Sequence, residues 1–282
     1  MPDNKKQTAI IFGGAGGIGK ILSEHLANTK GYGVSVVSRN EADIIADITN
    51  EDAVKNAFAL HRERFKEVPS VVINAAAIQK PIGRSWEVDS LLFKKNIEVN
   101  LLGNFYIVKE AINNFKSENR NENKNGHIIL FSGGGAVFAR ENFLGYSLSK
   151  TAVVRMVENV SEELREAGIN NIFINAIAPG AVKTQMTEEV FKSSVESAGD
   201  KAIREATEIM KSGGTDPKLI TNLFDFLLSA DVDRKLLLSG RLIHVKEPYL
   251  EWVQGVNSNN NSNNNNNNNN KDIGKLRRVS IC

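Results

Sequence analysis

Cysteine is almost missing: the chain of 282 residues has one, Cys282, at its last position. A single thiol cannot build a disulfide framework, and a cysteine with nothing after it is misplaced for prenylation. Histidine is scarce too. His25, His61, His127 and His244 are scattered without ligand spacing, which argues against a structural or catalytic metal site. Neither sign of charge is in excess, since 35 Lys and Arg against 33 Asp and Glu leave +2. That balance offers no broad electrostatic case for nucleic acid or an anionic membrane. No apolar run approaches the roughly 20 residues that span a bilayer. The N-terminus moves straight into a strand without a small-residue cleavage site, so the cytoplasm is the expected location.

What is present is organised around the stretch from Gly126 to Lys150. His127 to Phe131 is an apolar run that predicts a buried strand. Ser132-Gly133-Gly134-Gly135 then breaks it, because successive glycines favour neither helix nor strand. Tyr146 and Lys150 follow at the start of a helical pattern, four apart and therefore on one face. A free phenol, with a pKa of about 10, is a poor acid or base at neutral pH. A nearby ammonium favours the phenolate and draws that value down. A strand-end hydroxyl followed by Tyr-x-x-x-Lys thus predicts a proton-transfer site.

From the N-terminal side, Thr8 to Phe12 predicts a strand running into Gly13-Gly-Ala-Gly-Gly-Ile-Gly19 and then a helix. Strand, glycine loop and helix N-terminus together bind a pyrophosphate through backbone N–H groups. A Walker A reading of the loop fails because Ile21 stands where Ser or Thr must hold magnesium. A second strand, Val34 to Val37, ends at Ser38-Arg39-Asn40; with no acidic residue there, Arg39 suits a ribose 2′-phosphate. Short strands are expected at Asp43 to Ala46 and Ser70 to Ile73, the latter ending in Asn74-Ala-Ala-Ala77, where a ligand can lie close. An amphipathic helix is expected over Glu51 to Phe65, with Val54, Phe58 and Phe65 inward. A long helix over Ser85 to Phe115 carries Asn100 inside an apolar pattern, where a buried amide must be satisfied and can bend the helix. After the central stretch come a strand at Ile172 to Ile177, a Pro179-Gly180 turn, and a charged helical lid over Gln185 to Gly214. A helix over Asp216 to Leu228 and a strand over Arg241 to Val245 complete the pattern. From Asn257 the composition collapses into Asn and Ser, which can bury nothing and predicts disorder. The basic end holds Arg277-Arg278-Val279-Ser280, a pattern that basophilic kinases favour.

Gly13-x-x-x-Gly17-x-Gly19, Asp47, Asn74-Ala-Ala-Ala77, Asn100, Ser132, Tyr146-x-x-x-Lys150 and Pro179-Gly180-x-x-x-Thr184 occur in order at suitable strand ends. In this the chain resembles the short-chain dehydrogenases/reductases, from about Thr8 to Trp252. The resemblance implies an α/β Rossmann-type doubly wound parallel sheet forming one domain over residues 1–255, with 256–282 as the tail. It also implies NADP(H) or NAD(H) as cofactor, a small-molecule carbonyl or alcohol substrate, and a homodimer or homotetramer. By resemblance Tyr146 is the catalytic acid/base and Lys150 binds the nicotinamide ribose and lowers the tyrosine pKa. Ser132 orients the carbonyl, Asn100 holds a proton-relay water, Asp47 and Ile48 contact adenine, and Thr184 the carboxamide. Ile18, Pro179 and Val182 join the cofactor-binding set.

Several positions depart from the family. Phe12 replaces the usual threonine before the glycine loop, Ala75 replaces the second asparagine of its motif, and the connection between strands two and three is abridged. The usual spacing puts Gly133, not Ser132, opposite Tyr146. The expected function is an NADP(H)-preferring oxidoreductase of secondary alcohols and carbonyls. The alternative is a catalytically silent dinucleotide-binding sensor or scaffold. A serine hydrolase does not fit, because Gly145-Tyr-Ser-Leu-Ser149 lacks the second glycine of a nucleophile elbow.

Overall fold

The computed structural model describes residues 7–117, 125–229 and 232–248. Seven parallel strands form one sheet in the order β3-β2-β1-β4-β5-β6-β7. They are β1 (Thr8–Phe12), β2 (Gly33–Ser38), β3 (Ile44–Ile45), β4 (Val71–Asn74), β5 (Gly126–Phe131), β6 (Ile172–Ala178) and β7 (Leu242–His244). β1, β4, β5 and β6 are buried at every position, as apolar strands covered on both faces must be. Side chains alternate between two cores. Ile10, Phe12, Val72, Ile128 and Leu130 face one, while Ala9, Ile11, Val71, Ile73 and Ile129 face the other.

The first core is closed by α2 (Glu51–Phe65), α4 (Gly103–Ser117) and α5 (Leu144–Glu166) through Phe58, Ile107, Phe115 and Val157. Phe12 lies 5.7 Å from Phe58 in that core, so the departure at this position is filled by packing. The second is closed by α1 (Gly17–Glu24) and α9 (Pro217–Ser229) through Leu22, Ile220 and Phe224. β1 pairs with β2 on one side and β4 on the other, so the order of winding reverses beside β1. Ligands of open α/β sheets bind at that switch point, outside the carboxyl ends of the strands.

The sequence expectations need local correction. The third strand shrinks to Ile44–Ile45. The long helix begins only at α3 (Ser90–Ile97), where the Asp89 carboxylate accepts from the Leu91 and Leu92 amides at 2.6 and 3.0 Å. It then passes through a π-turn, Glu98–Leu102, into α4. The region called a lid forms α6 (Gln185–Phe191), α7 (Val195–Ala198) and α8 (Asp200–Ser212). A further helix, α10 (Val232–Leu238), was not expected. The Asn-rich tail, Ser280 and both ends of the 1–255 domain lie outside the described residues, as does most of the expected surface loop over Ser117 to Asn125.

Candidate active site

A cleft of about 710 Å³ opens where the ends of β1, β2, β4 and β5 meet the turn after β6. The glycine loop forms its floor. Gly13 has φ +73°, and a Cβ there would lie 2.5 Å from the Ala76 amide nitrogen. At Gly17 φ is +50°, and α1 begins there with no side-chain cap and no acidic residue in its first turn. Such an uncapped helix start suits an anion. Gly19 does not line the cleft: a Cβ there would strike the Gly13 carbonyl at 2.2 Å, so its role is to let helix and loop close.

Arg39, Asp47 and Ile48 line one end together with Glu41, which no motif in the sequence marks. Glu41 takes φ +26°, and the turn before it is held by Ser38 Oγ, which donates to the Asn40 carbonyl. Burial pushes the Asp47 carboxyl up. Hydrogen bonds from the Thr49 amide (2.9 Å) and hydroxyl (2.8 Å), with the charges of Lys95 and Arg39, overcome this and hold it below its usual range. Ile18, Ala75, Ala76, Ala77, Pro179 and Thr184 line the middle, joined by Gln185 and Met186, which no motif signalled. Asn74, Gly180 and Val182 stand behind the wall. Asn74 donates to Asn104 Oδ1 at 2.9 Å and accepts from the Ala76 amide at 3.0 Å. Gly180, at φ +74°, lets Thr215 approach, and Val182 bridges to Gly214.

At the other end, Tyr146 and Lys150 lie on the first turns of α5. Lys150 is buried, its Nζ donates to the Phe131 carbonyl at 2.9 Å and stands 5.4 Å from the centre of the Tyr146 ring. Burial lowers the Lys150 pKa to about 8. Burial also raises that of Tyr146, and the charge that opposes the rise is Arg140. This corrects the expectation that Lys150 draws the phenol down.

Ser132 lines the cleft, yet its single O–H donates to the Lys150 carbonyl at 3.0 Å. The expected donor is therefore committed elsewhere, because a hydroxyl has one proton to give. The residue that faces the phenol is Gly133, whose added Cβ would sit 3.6 Å from Tyr146 Oη. Asn100 is fully buried in the π-turn and does not reach the cleft. Its two amide N–H groups are shared among the Ile78 carbonyl (2.8 Å), Asn96 Oδ1 (3.1 Å) and Ser149 Oγ (3.1 Å), and its Oδ1 accepts from the Ile78 amide (2.9 Å). Its own carbonyl accepts from Asn104 Nδ2 at 2.6 Å. Asn100 thus ties the loop after β4 to α5, a job that helical periodicity cannot reveal. Among the described residues no group of three or more His, Cys, Asp or Glu could hold a metal ion.

Glycine floor, uncapped helix and Tyr-Lys pair share one cleft on a doubly wound sheet. Residues 7–194 match the family described as short chain dehydrogenase, and the chain belongs to it. It is an oxidoreductase of alcohol and carbonyl groups, with an NAD(P)-binding Rossmann fold. A 3-oxoacyl-(acyl-carrier-protein) reductase of Mycobacterium bovis is 28% identical over 192 residues, covering 66% of this chain and 73% of its own. An (S)-acetoin-forming diacetyl reductase of Staphylococcus aureus is 28% identical over 257 residues, covering 83% and 94%. The crystal structure of a short-chain dehydrogenase/reductase from Saccharomyces cerevisiae superposes with a TM-score of 0.74 at 19% identity, covering 86% of this chain and 98% of that one.

Proposed function

We propose that the chain is an NADP(H)-preferring reductase of a small carbonyl compound, with Tyr146 giving the proton. The observation that carries this is the sharing of one cleft by Tyr146, Lys150 and the Gly13–Gly17 floor. The cradle fits a dinucleotide, since a side chain at Gly13 would collide with the Ala76 backbone, and at Gly16 nothing stands within 4 Å. Gly13, Gly17 and Ile18 would hold the pyrophosphate, Asp47 and Ile48 the adenine, Arg39 a 2′-phosphate, and Pro179 and Thr184 the nicotinamide. When bound, the nicotinamide supplies or takes the hydride. Tyr146 holds its proton at neutral pH and burial raises its pKa further, so it gives that proton only as negative charge develops on a carbonyl oxygen. Lys150, still charged below about pH 8, holds positive charge beside that proton and anchors the end of β5. Ser132 and Asn100 fasten the strand end and the loop against α5 and act by positioning.

Titrating both cofactors by fluorescence tests the preference. NADP(H) should bind at least about tenfold tighter, close to 1.4 kcal/mol, and Arg39→Ala should erase the difference while NAD(H) binding holds. Equal affinity or an NAD(H) preference refutes it. Glu41 favours a second reading, in which its carboxylate takes a free ribose hydroxyl and NAD(H) is preferred; Glu41→Gln would then weaken NAD(H). We further propose a cytoplasmic homodimer or homotetramer. Exposed Leu102, Phe105, Leu144 and Leu148 around α4 and α5 support self-association. No helix among the described residues is long and apolar enough to cross a membrane.

A further inference from the structure

Reduction of a carbonyl adds a hydride to its carbon, sends the C–O π pair to oxygen and places the Tyr146 proton there, while the dihydronicotinamide that gives the hydride is oxidised. The charge growing on that oxygen is stabilised by each preorganised donor that faces it. Tyr146 Oη is one such donor. Opposite it, a Cβ added at Gly133 would meet Tyr146 Oη at 3.6 Å and, its chain neighbours aside, no other heavy atom within 4 Å. Thr184 and Gln185, which line the middle of the cleft, therefore do not reach this point. Neither chain neighbour fills it: Ser132 is buried with its O–H given to the Lys150 carbonyl at 3.0 Å, and Gly134 has no side chain. The Lys150 ammonium is turned to the Phe131 carbonyl at 2.9 Å, and Asn100 is buried outside the cleft. The same side is open, since nothing stands within 4 Å of a Cβ added at Gly134. The other charged residues lining the cleft, Arg39, Glu41 and Asp47, stand at its cofactor end.

We infer that Gly133 is a specificity-determining residue: it withholds the second donor and so selects an uncharged carbonyl made electrophilic by an adjacent acyl or ester group. Absence of one oxyanion donor costs about 100- to 1,000-fold in turnover. An electron-withdrawing neighbour offsets this by drawing the developing charge into the substrate, and its arm has room over Gly133 and Gly134. A simple ketone has no such help. The inference rests on the reductase reading, and the experiment separates the two. Full-length protein with NADPH is assayed on methyl pyruvate and 2-pentanone, two uncharged methyl ketones of similar length, with the wild type, Gly133→Ser and Gly133→Ala. The backbone at Gly133 is extended and accepts either side chain.

In the wild type, kcat/KM for methyl pyruvate should exceed that for 2-pentanone by at least about 100-fold, the factor that a missing donor costs. Gly133→Ser should narrow that ratio by about threefold or more, because a hydroxyl facing the oxygen helps the less activated ketone most. Gly133→Ala adds the bulk without the donor and should leave the ratio wide. A wild-type ratio within about tenfold would overturn the inference whatever the variants do. So would a Gly133→Ser protein that speeds both substrates equally, or a Gly133→Ala protein that narrows the ratio as far as serine does. Turnover of neither ketone by a protein that binds NADPH would instead overturn the reductase reading, and this inference with it.

Discussion

Gly133→Ser is the substitution whose outcome the structure specifies most fully. Gly133 has φ 179° and ψ −178°, an extended backbone that serine adopts without strain. A Cβ placed there meets only Tyr146 Oη within 4 Å, at 3.6 Å, so a hydroxyl on it can come within hydrogen-bond reach of the oxygen that the phenol serves. A preorganised donor to a developing oxyanion is worth about 100- to 1,000-fold in turnover, or roughly 3–4 kcal/mol. A donor added to an existing site lacks that preorganisation, so we expect a gain of about tenfold or more. Loss of reduced-nicotinamide absorbance measures the rate, with Tm and cofactor affinity as controls. If the variant folds, binds cofactor equally well and is no faster, Gly133 does not mark a missing donor and the reasoning fails. Ser132→Ala gives the converse expectation. It should lower stability by about 1 kcal/mol through the lost bond to the Lys150 carbonyl, with far less than a 100-fold loss of rate.

Lys150→Met should stabilise the protein while abolishing turnover. The drop from 10.5 to about 8 opposes folding by about 3 kcal/mol at pH 7, and orphaning the Phe131 carbonyl returns about 1, leaving roughly 2 kcal/mol in favour of the variant. Because the unfolded chain binds the extra proton between those pH values, the advantage should fade as pH rises from 8 to 10.5 in urea unfolding. A less stable variant at pH 7 would contradict this. His61 offers a second titration: it is fully buried, its ring nitrogens meet Ser35 Oγ at 2.9 Å and Thr8 Oγ1 at 3.1 Å, and burial lowers its pKa to about 4. The unfolded chain takes up a proton below pH 6.5 that the folded one refuses, so stability should fall by about 2 kcal/mol between pH 6.5 and 5. His61→Phe should remove that slope, and an unchanged slope would show that other groups carry it.

The sheet was legible because its signals are local. Buried parallel strands read as apolar runs, and the glycine loop and the Pro179-Gly180 turn mark their ends within a few residues. The Tyr146–Lys150 pair was legible for the same reason, being one helical turn. What the sequence hid depends on where side chains turn after folding. Nothing along the chain tells Ser132 Oγ to face a carbonyl on α5, or sets Asn100 in a π-turn where Ile78 and Ser149 consume its amide. The pKa of Tyr146 is raised by withdrawal of the phenol from water, with Arg140 rather than Lys150 as the opposing charge, and neither effect can be read from a spacing of four.

The most direct test is the rate of NADPH consumption on a carbonyl substrate by wild type and Tyr146→Phe, with cofactor dissociation constants measured for both. If Tyr146 gives the proton, the variant should lose at least about 100-fold in turnover while cofactor affinity stays nearly constant. A Tyr146→Phe protein that turns over at close to the wild-type rate would mean that another group supplies the proton, and the account of this cleft would be wrong.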